Sequence, residues 1–204
     1  MKDYTLSNEL IAGCDEAGRG CLAGPVFAAA VILPKGFSHK LLNDSKKVSA
    51  ENRLILREII LKKAIAWGIG SCDHEEIDRI NILNASFLAM HKAIANLQIT
   101  PGFLIIDGNR FNAYPGISHK CIIDGDEKYK AIAAASILAK TERDAFMIQL
   151  HEQFPVYGWN KNKAYATFEH REALIKHGTS PLHRRSFRLD YQLELEFSNS
   201  DLLE

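Results

Sequence analysis

The chain has 204 residues, enough to bury a hydrophobic core, and we expect a single domain. Its 25 Lys and Arg residues balance its 25 Asp and Glu residues, so the overall charge does not attract nucleic acid. The four cysteines are scattered, which argues against a zinc motif, and no apolar stretch is long enough to span a bilayer. The N-terminus lacks a signal-peptide pattern, so we predict a cytoplasmic protein that does not bind membranes.

The first half of the chain predicts three strands and then helices. Apolar runs predict strands over three segments: 9–14, 25–33 and 64–72. Ser49 is typical of a helix N-cap, because apolar residues with helical spacing follow it. Gly68 and Gly70 indicate that another backbone lies close to the third strand. Further helical patterns cover two segments: 73–80 and 83–97.

The second half predicts two more strands and a long helix. Short apolar strands cover 103–106, ending at Asp107, and 120–123. The strongest helical pattern runs from 127 to about 153, and its Ala-rich first half allows close contact with a sheet. After a loop-like segment, Thr167 predicts the cap of a helix that ends before Gly178. This order predicts an α/β domain in which helices cover a mixed sheet.

Four acidic residues follow predicted strands. They are Asp15, Glu16, Asp107 and Asp126. Clustered carboxylates repel each other unless a cation lies among them, and oxygen ligands without His or Cys favour Mg²⁺ or Mn²⁺. Adjacent acids in a strand point to opposite faces, so Asp15 and Glu16 share a site only if the chain turns there. The alternative is that each acid is a strand-end or turn residue, which is the favoured interpretation of Asp126 taken alone.

Two further segments offer contacts for a phosphate or a sugar. The backbone amides of Gly18, Arg19 and Gly20 follow the first acids closely, and glycine allows a ligand to approach. Lys46 lies in a polar loop before a predicted helix, where it could pair with phosphate as a point charge. A tight surface turn and a solvated charge pair are the alternative interpretations.

Taken together, these segments resemble the ribonuclease HII family. The matching stretches are IAGCDEAGRGCLAGPVFAAAVIL, LNDSKK, FLIIDG, GDEKYKAIAAASILAKTERD and HGTSPLHRRSF, in the family's order. They extend from about residue 11 to 187, and the combination of DEAGRG with AAASILAK is highly specific. The resemblance implies a ribonuclease H-like fold with a mixed five-stranded sheet, flanking helices and a helical C-terminal part. We place the catalytic core at about 9–150 and a substrate-binding part at about 151–204 of one domain, 1–204.

The resemblance also implies an activity. It predicts an endoribonuclease that hydrolyses the RNA strand of RNA–DNA hybrids and cuts 5′ to ribonucleotides embedded in duplex DNA. Separately, we expect the protein to be a monomer. Two-metal hydrolysis would leave 5′-phosphate and 3′-hydroxyl ends. The implied catalytic and metal-binding residues are Asp15, Glu16, Asp107 and Asp126, with Mn²⁺ or Mg²⁺ as cofactor. No convincing sliding-clamp motif is found in the C-terminal tail.

Substrate contacts are also implied by the resemblance. Gly18, Arg19 and Gly20 would face the 2′-hydroxyl at the cleavage site, and Tyr165 would stack on the sugar at the RNA–DNA junction. Lys46 and Arg184 would position the nucleic-acid backbone. The chain departs from the family pattern in two places. Cys21 replaces a common proline. Alanines flank Tyr165 where the family has small flexible residues such as glycine, and the loss of glycine restricts the backbone there.

Three other functions are compatible with parts of the sequence. A catalytically silent nucleic-acid-binding protein would not need all four acids, and a scaffold protein leaves the acidic cluster unexplained. A type I or type III ribonuclease H, or a junction nuclease, would share the fold. The DEAGRG and LNDSKK segments favour type II.

Overall fold

The structure is a computed structural model, which describes residues 1–6, 9–42, 45 and 48–188. Five strands form one sheet in the order β3-β2-β1-β4-β5. They are β1 (Ile11–Ala17), β2 (Val26–Ile32), β3 (Ala66–Cys72), β4 (Phe103–Asp107) and β5 (Ser118–Ile122). The first three strands pair antiparallel, whereas β1, β4 and β5 run parallel. The predicted mixed five-stranded sheet is therefore confirmed.

The described part of the chain also contains helices that flank this sheet. They are α1 (Ala50–Lys63), α2 (His74–Ile80), α3 (Ile82–Ala95), α4 (Gly125–Lys128), α5 (Lys130–Gln153), α6 (Trp159–Asn162) and α7 (Phe168–His177). Two predicted N-caps are confirmed. The Ser49 hydroxyl accepts a hydrogen bond from the Asn52 amide at 3.3 Å, and the Thr167 hydroxyl accepts one from the His170 amide at 3.3 Å. Each cap satisfies an N–H group that its helix leaves without a partner.

Several predicted boundaries and one predicted loop differ from the structure. Strand β1 continues to Ala17, because pairing with β2 extends to Phe27, so the chain does not turn at Asp15 and Glu16. Tyr129 is extended, at φ −127° and ψ 129°, and separates α4 from α5 where one helix was predicted. The segment after α5 was predicted as a loop but contains a 3-10 turn (Pro155–Tyr157) and then α6.

Helices cover both faces of the sheet. On one face, Ala89 and Met90 of α3 belong to a buried cluster with Ala12 and Val26. On the other face, α1 and α5 pack against β2 through a second cluster, which includes Leu56, Ile60, Ala134, Ala135, Ala29 and Val31. The central strands are therefore shielded on both faces, as an apolar strand such as β2 requires.

Glycine sets the distance between helix and sheet on both faces. A Cβ atom at Gly70 would collide with the backbone of Ala89 and Ala93 in α3, and one at Gly13 would collide with the backbone of Ala131 and Ile132 in α5. The close approach predicted from Gly68 and Gly70 is confirmed, because a Cβ atom at Gly68 would also strike α3. The contact at Gly13 lies in β1, the strand that carries Asp15 and Glu16.

A third buried cluster joins the C-terminal helices to the rest of the molecule. We call it the C-terminal cluster, and it consists of Cys21, Ala23, Met147, Tyr157, Trp159, Ala164 and Ala173. Its members come from the segment after β1, from α5 and from the segment 155–173. It therefore fixes the C-terminal part beside the carboxyl end of β1. The exact division into a core and a substrate-binding part stays a prediction.

No helix in the described ranges combines the length and the apolar character needed to cross a membrane.

Candidate active site

Asp15 and Asp107 lie side by side at the carboxyl edge of the sheet. Cys14 of β1 is in register with Ile106 of β4, and the two strands are parallel, so the next residue of each strand lies at the same edge. Asp15 is buried, with 5% exposure, and Glu16 follows it in β1. The three acids interact electrostatically although β1 does not turn between Asp15 and Glu16. The sheet thus brings together three of the four predicted acids.

This group of carboxylates is electrostatically strained. Burial raises the pKa of Asp15 well above its ordinary value, and the charges of Glu16 and Asp107 raise it further. Burial also raises the pKa of Glu16, although Arg19 opposes that shift. Both shifts mean that the ionised forms are disfavoured in the protein alone. A bound cation would relieve both the desolvation and the repulsion.

Asp126 is connected to this group through its neighbour in the chain. The Gly125 amide donates a 2.7 Å hydrogen bond to Oδ1 of Asp107, which places the start of α4 against the end of β4. Asp124, in the left-handed conformation at φ 53°, precedes this contact. Asp126 is buried in the first turn of α4, with 6% exposure, rather than in a surface turn. The fold therefore positions Asp126 within one residue of the Asp107 contact.

The chemistry of these oxygen donors fits Mg²⁺ or Mn²⁺, which prefer carboxylates. Among residues whose placement is described, no three His, Cys, Asp or Glu side chains already converge as a ligand group. One reason is visible at Glu16, whose Oε1 atom lies 3.1 Å from Nη1 of Arg19. A bound ion would compete with Arg19 for this oxygen or would use the other oxygen of the carboxylate. The residues fit the cofactor by donor type and by charge, and they are not closed around it.

The glycine–arginine–glycine loop follows β1 immediately. Gly18 has φ +99°, a conformation that favours glycine, and a Cβ atom there would overlap the buried side chain of Arg143. A Cβ atom at Gly20 would meet nothing within 4 Å, so this side of the loop is open. The Arg19 side chain is 53% exposed. The loop therefore has one face packed on the protein and one face accessible to a ligand.

Arg184 does not fit its predicted role of contacting the nucleic-acid backbone. The residue is fully buried at 0% exposure. Its guanidinium donates to the carbonyl oxygens of Gly24 at 2.9 Å, Arg19 at 2.9 Å and Gly18 at 2.8 Å. Buried donors that are already paired with the protein are not accessible to a phosphate. Arg184 instead holds the glycine–arginine–glycine loop through hydrogen bonds to its carbonyl oxygens, on the buried side of the loop.

Tyr165 lies beside the same loop and is 39% exposed. Its side chain is hydrogen-bonded to Cys21, and burial raises the pKa of its phenol to about 12. Nζ of Lys140 lies 5.6 Å from the ring centre, a cation–π distance. Tyr165 thus presents a partly exposed ring at the site. Its partner Cys21 is the residue that replaces the family's common proline.

The second departure, Ala164, lies at φ +64°, in the left-handed region. Its carbonyl oxygen accepts a 2.8 Å hydrogen bond from the Leu22 amide, and its own amide donates to Oδ1 of Asn162 at 2.8 Å. The backbone before Tyr165 therefore takes a conformation that glycine would adopt more easily, and the surrounding bonds fix the alanine in it.

Sequence reasoning did not identify two serines beside the acids. Ser136 of α5 is hydrogen-bonded to Asp15, and its hydroxyl lies 2.9 Å from that of Ser45, with both residues buried. A polar residue within the apolar AAASILAK run was the available signal. Ser45, a described residue of the LNDSKK segment, is linked to Asp15 through Ser136. Lys46 itself lies outside the described residues.

Known proteins resemble this chain in sequence and in fold. The family model "Ribonuclease HII" matches residues 12–190. Ribonuclease HII of Bacteroides thetaiotaomicron is 60% identical over 195 residues, covering 94% of this chain and 98% of the relative. The ribonuclease HII in a complex with PCNA from Archaeoglobus fulgidus has a TM-score of 0.71 and 27% identity, covering 88% of this chain and 95% of that one. Bst-RNase HIII in complex with Mn²⁺ has a TM-score of 0.68 and 18% identity, covering 93% of this chain and 70% of that one.

The fold and the acidic site define a hydrolase of the ribonuclease H class, built on an α/β fold with a mixed sheet. Within that class, the family match over most of the chain and the 60% identity decide between the types. The chain belongs to the ribonuclease HII family. The predicted family, fold and enzyme class are confirmed.

Proposed function

We propose that this ribonuclease H hydrolyses the RNA strand of RNA–DNA hybrids and cuts 5′ to single ribonucleotides embedded in duplex DNA. The observation that carries the proposal is the juxtaposition of Asp15, Glu16 and Asp107 at one sheet edge, directly before the open glycine–arginine–glycine loop. A relative of the same fold is solved with Mn²⁺, which supports a divalent cofactor here. The open loop supports recognition of the sugar, and the 2′-hydroxyl is the group that distinguishes RNA from DNA.

The carboxylates have the first role in this mechanism. Asp15, Glu16, Asp107 and Asp126 would hold Mg²⁺ or Mn²⁺, which when bound would activate water and stabilise charge on the scissile phosphate and the departing 3′-oxygen. Hydrogen bonds from Ser136 to Asp15 and from the Gly125 amide to Asp107 orient two of these carboxylates. Orientation by such neighbouring groups is needed for efficient metal binding.

The remaining residues would bind and position the substrate. Gly18, Arg19 and Gly20 present the accessible side of their loop next to the acids, where backbone amides can bond a sugar hydroxyl. Tyr165 offers its partly exposed ring for stacking against the sugar at the junction. Lys46 is proposed to contact phosphate. The products would carry 5′-phosphate and 3′-hydroxyl ends.

The test uses a DNA duplex that contains one ribonucleotide, incubated with and without Mg²⁺ or Mn²⁺. We expect a nick 5′ to the ribonucleotide only when the divalent ion is present. Asp107→Asn should reduce cleavage to background while the protein remains folded, because it removes a carboxylate from the site. Asp124→Asn is the matched control, since Asp124 is an exposed acid two residues before Asp126 and asparagine tolerates its left-handed backbone.

Two results would contradict this proposal. Normal cleavage by Asp107→Asn with Mg²⁺ would contradict the proposed role of the carboxylates in catalysis. A requirement for a run of several ribonucleotides, with no nick at a single one, would retain ribonuclease H activity but reject cleavage at embedded ribonucleotides.

A further inference from the structure

Arg184 is a buried cation with three backbone partners. Its guanidinium is fully enclosed, and burial lowers its pKa to about 10, so it still carries its charge at neutral pH. Charge-assisted hydrogen bonds to the carbonyl oxygens of Gly18, Arg19 and Gly24 offset the cost of enclosing that charge. Two of these oxygens belong to the glycine–arginine–glycine loop.

The geometry of the peptide bond links these carbonyl oxygens to the opposite side of the loop. In a trans peptide, the C=O of one residue and the N–H of the next lie in one plane and point in opposite directions. No cis peptide occurs in the described parts of the chain. The Gly18 carbonyl group shares its peptide with the Arg19 amide, and the Arg19 carbonyl group shares its peptide with the Gly20 amide. Both amides therefore point away from Arg184.

That opposite side is the accessible one. Arg19 and Gly20 are exposed, and a Cβ atom at Gly20 would meet open space. No hydrogen bond within the described residues uses the Arg19 or Gly20 amide as a donor. The Arg19 and Gly20 amides are thus two neighbouring donors that point to the accessible side of the loop, next to the carboxylates.

We infer that Arg184 is a positioning residue that aims the Arg19 and Gly20 amides at the 2′-hydroxyl of the ribonucleotide. This inference rests on the proposed function, and it assigns Arg184 to substrate discrimination without any contact with the substrate. Arg143 is also fully buried, but it donates to Pro25, Ala23 and Lys163 instead of to the Gly18 and Arg19 carbonyls. Arg184 is therefore the side chain that holds these two peptides.

The test measures binding in the Asp107→Asn background, so that the substrate is not cut. Fluorescence anisotropy gives dissociation constants for a duplex with one ribonucleotide and for the all-DNA duplex of the same sequence, both with Mg²⁺. Arg184→Lys keeps the positive charge but loses the planar fork that bonds several carbonyl groups. Arg185→Lys is the matched control, because Arg185 is the exposed neighbour in the same loop.

We expect Arg184→Lys to lower the preference for the ribonucleotide duplex by about tenfold, the equivalent of one hydrogen bond. Its affinity for the all-DNA duplex should change less than about twofold. Arg185→Lys should keep the preference of its parent. An unchanged preference in Arg184→Lys, or an equal loss of affinity for both duplexes, would overturn the positioning role, since a merely structural residue would not alter the ratio.

Two other outcomes are also decisive. If the Asp107→Asn parent shows no preference, the proposed recognition of ribonucleotides fails before Arg184 is changed, and the inference fails with it. If Arg184→Lys does not fold, NMR of the parent replaces it. The Arg19 and Gly20 amide resonances should then shift differently with the ribonucleotide duplex and with the all-DNA duplex. Identical shifts would refute the inference.

Discussion

Asp15 is the residue at which stability and activity oppose each other. Its carboxylate is enclosed at 5% exposure and faces two other acids, so its ionised form is costly in the metal-free protein. Because its pKa in the folded chain is raised, the folded chain takes up a proton at this site at a higher pH than the unfolded chain does. At neutral pH this acid therefore lowers the free energy of unfolding.

We predict that Asp15→Asn raises the free energy of unfolding by about 1 kcal/mol or more in metal-free buffer at neutral pH, because it removes the buried charge. The same variant should not cleave. Urea denaturation measures the difference in stability. Asp144→Asn is the control, since Asp144 has a cationic partner, Lys140, at 2.5 Å and should gain no stability when neutralised. An Asp15→Asn protein that is less stable than the parent would contradict this prediction.

The sequence was informative about which acids share a site but not about what supports them. Asp15 and Asp107 could be found because each follows an apolar strand, and parallel strand ends meet at one edge. Arg184 could not be assigned correctly, because an arginine in a basic segment has the same appearance whether it faces solvent or bonds carbonyl groups 160 or more residues away in the chain. Ser136 was missed because its partner is also distant in sequence.

At the scale of elements, glycine determines how close α5 comes to β1. Gly13 lies two residues before Asp15, and a Cβ atom there would overlap backbone atoms of α5, which cannot move like a flexible side chain. The Ala-rich start of α5 makes the contact possible from the helix side. Helix α5 also supplies Ser136 to Asp15, so the spacing between helix and strand determines the geometry of the acid site.

We predict that Gly13→Ala lowers the free energy of unfolding by roughly 2–4 kcal/mol, since the added methyl group must push helix and strand apart. Gly20→Ala introduces the same methyl group into open space and is the matched control. It should change stability by less than about 1 kcal/mol while reducing cleavage, because the methyl group occupies the substrate side of the loop. Similar stabilities for the two variants in urea denaturation would contradict this account.

Element boundaries were harder to predict than element types. The α5 pattern predicted a helix correctly, but the extended backbone of Tyr129 was not visible in it. Lys2 forms an isolated bridge with Tyr129, so the break depends on a contact with the N-terminal segment. Such a long-range contact has no local signature, whereas the caps at Ser49 and Thr167 are local and were found.

For the whole molecule, the balanced charge does not show which basic residues are free to bind a ligand and which are buried or paired within the protein. The chain carries 25 basic and 25 acidic residues, and a basic excess lies in the segment 140–188. Two arginines of that segment, Arg143 and Arg184, are buried against carbonyl groups, and Lys140 is paired with Asp144. The positive surface of this segment is therefore smaller than its number of basic residues suggests.

The C-terminal part of the molecule contains a buried pair of histidines, His170 and His183. Nδ1 of His183 accepts from the Ser180 amide at 2.9 Å, and its Nε2 lies 3.2 Å from Nε2 of His170. Nδ1 of His170 is 2.9 Å from the Tyr165 carbonyl oxygen, which needs a donor. Both rings are therefore bonded in their neutral forms, with the proton of His183 on Nε2 and that of His170 on Nδ1.

We predict that this pair destabilises the protein in mild acid. Burial, and then repulsion from His170, lower the pKa of His183 to about 4 from its ordinary 6.5. Between these pH values the unfolded chain binds more protons than the folded chain, so stability falls as the pH falls from 6.5 toward 4, by about 2 kcal/mol or more. Asp15 and Glu16, whose pKa values are raised, act in the opposite direction. A comparison with a variant that keeps both acids isolates the contribution of the histidine.

In that comparison, His183→Asn should be less stable than the parent at pH 7, because it loses buried contacts, but the difference should shrink as the pH falls toward 4. His177→Asn, at the exposed end of α7, should follow the parent at every pH. Urea denaturation at several pH values measures both differences. A constant difference between the parent and His183→Asn would show that the buried imidazole is not the group that takes up the proton. The loss of stability in acid would then have to arise from another group.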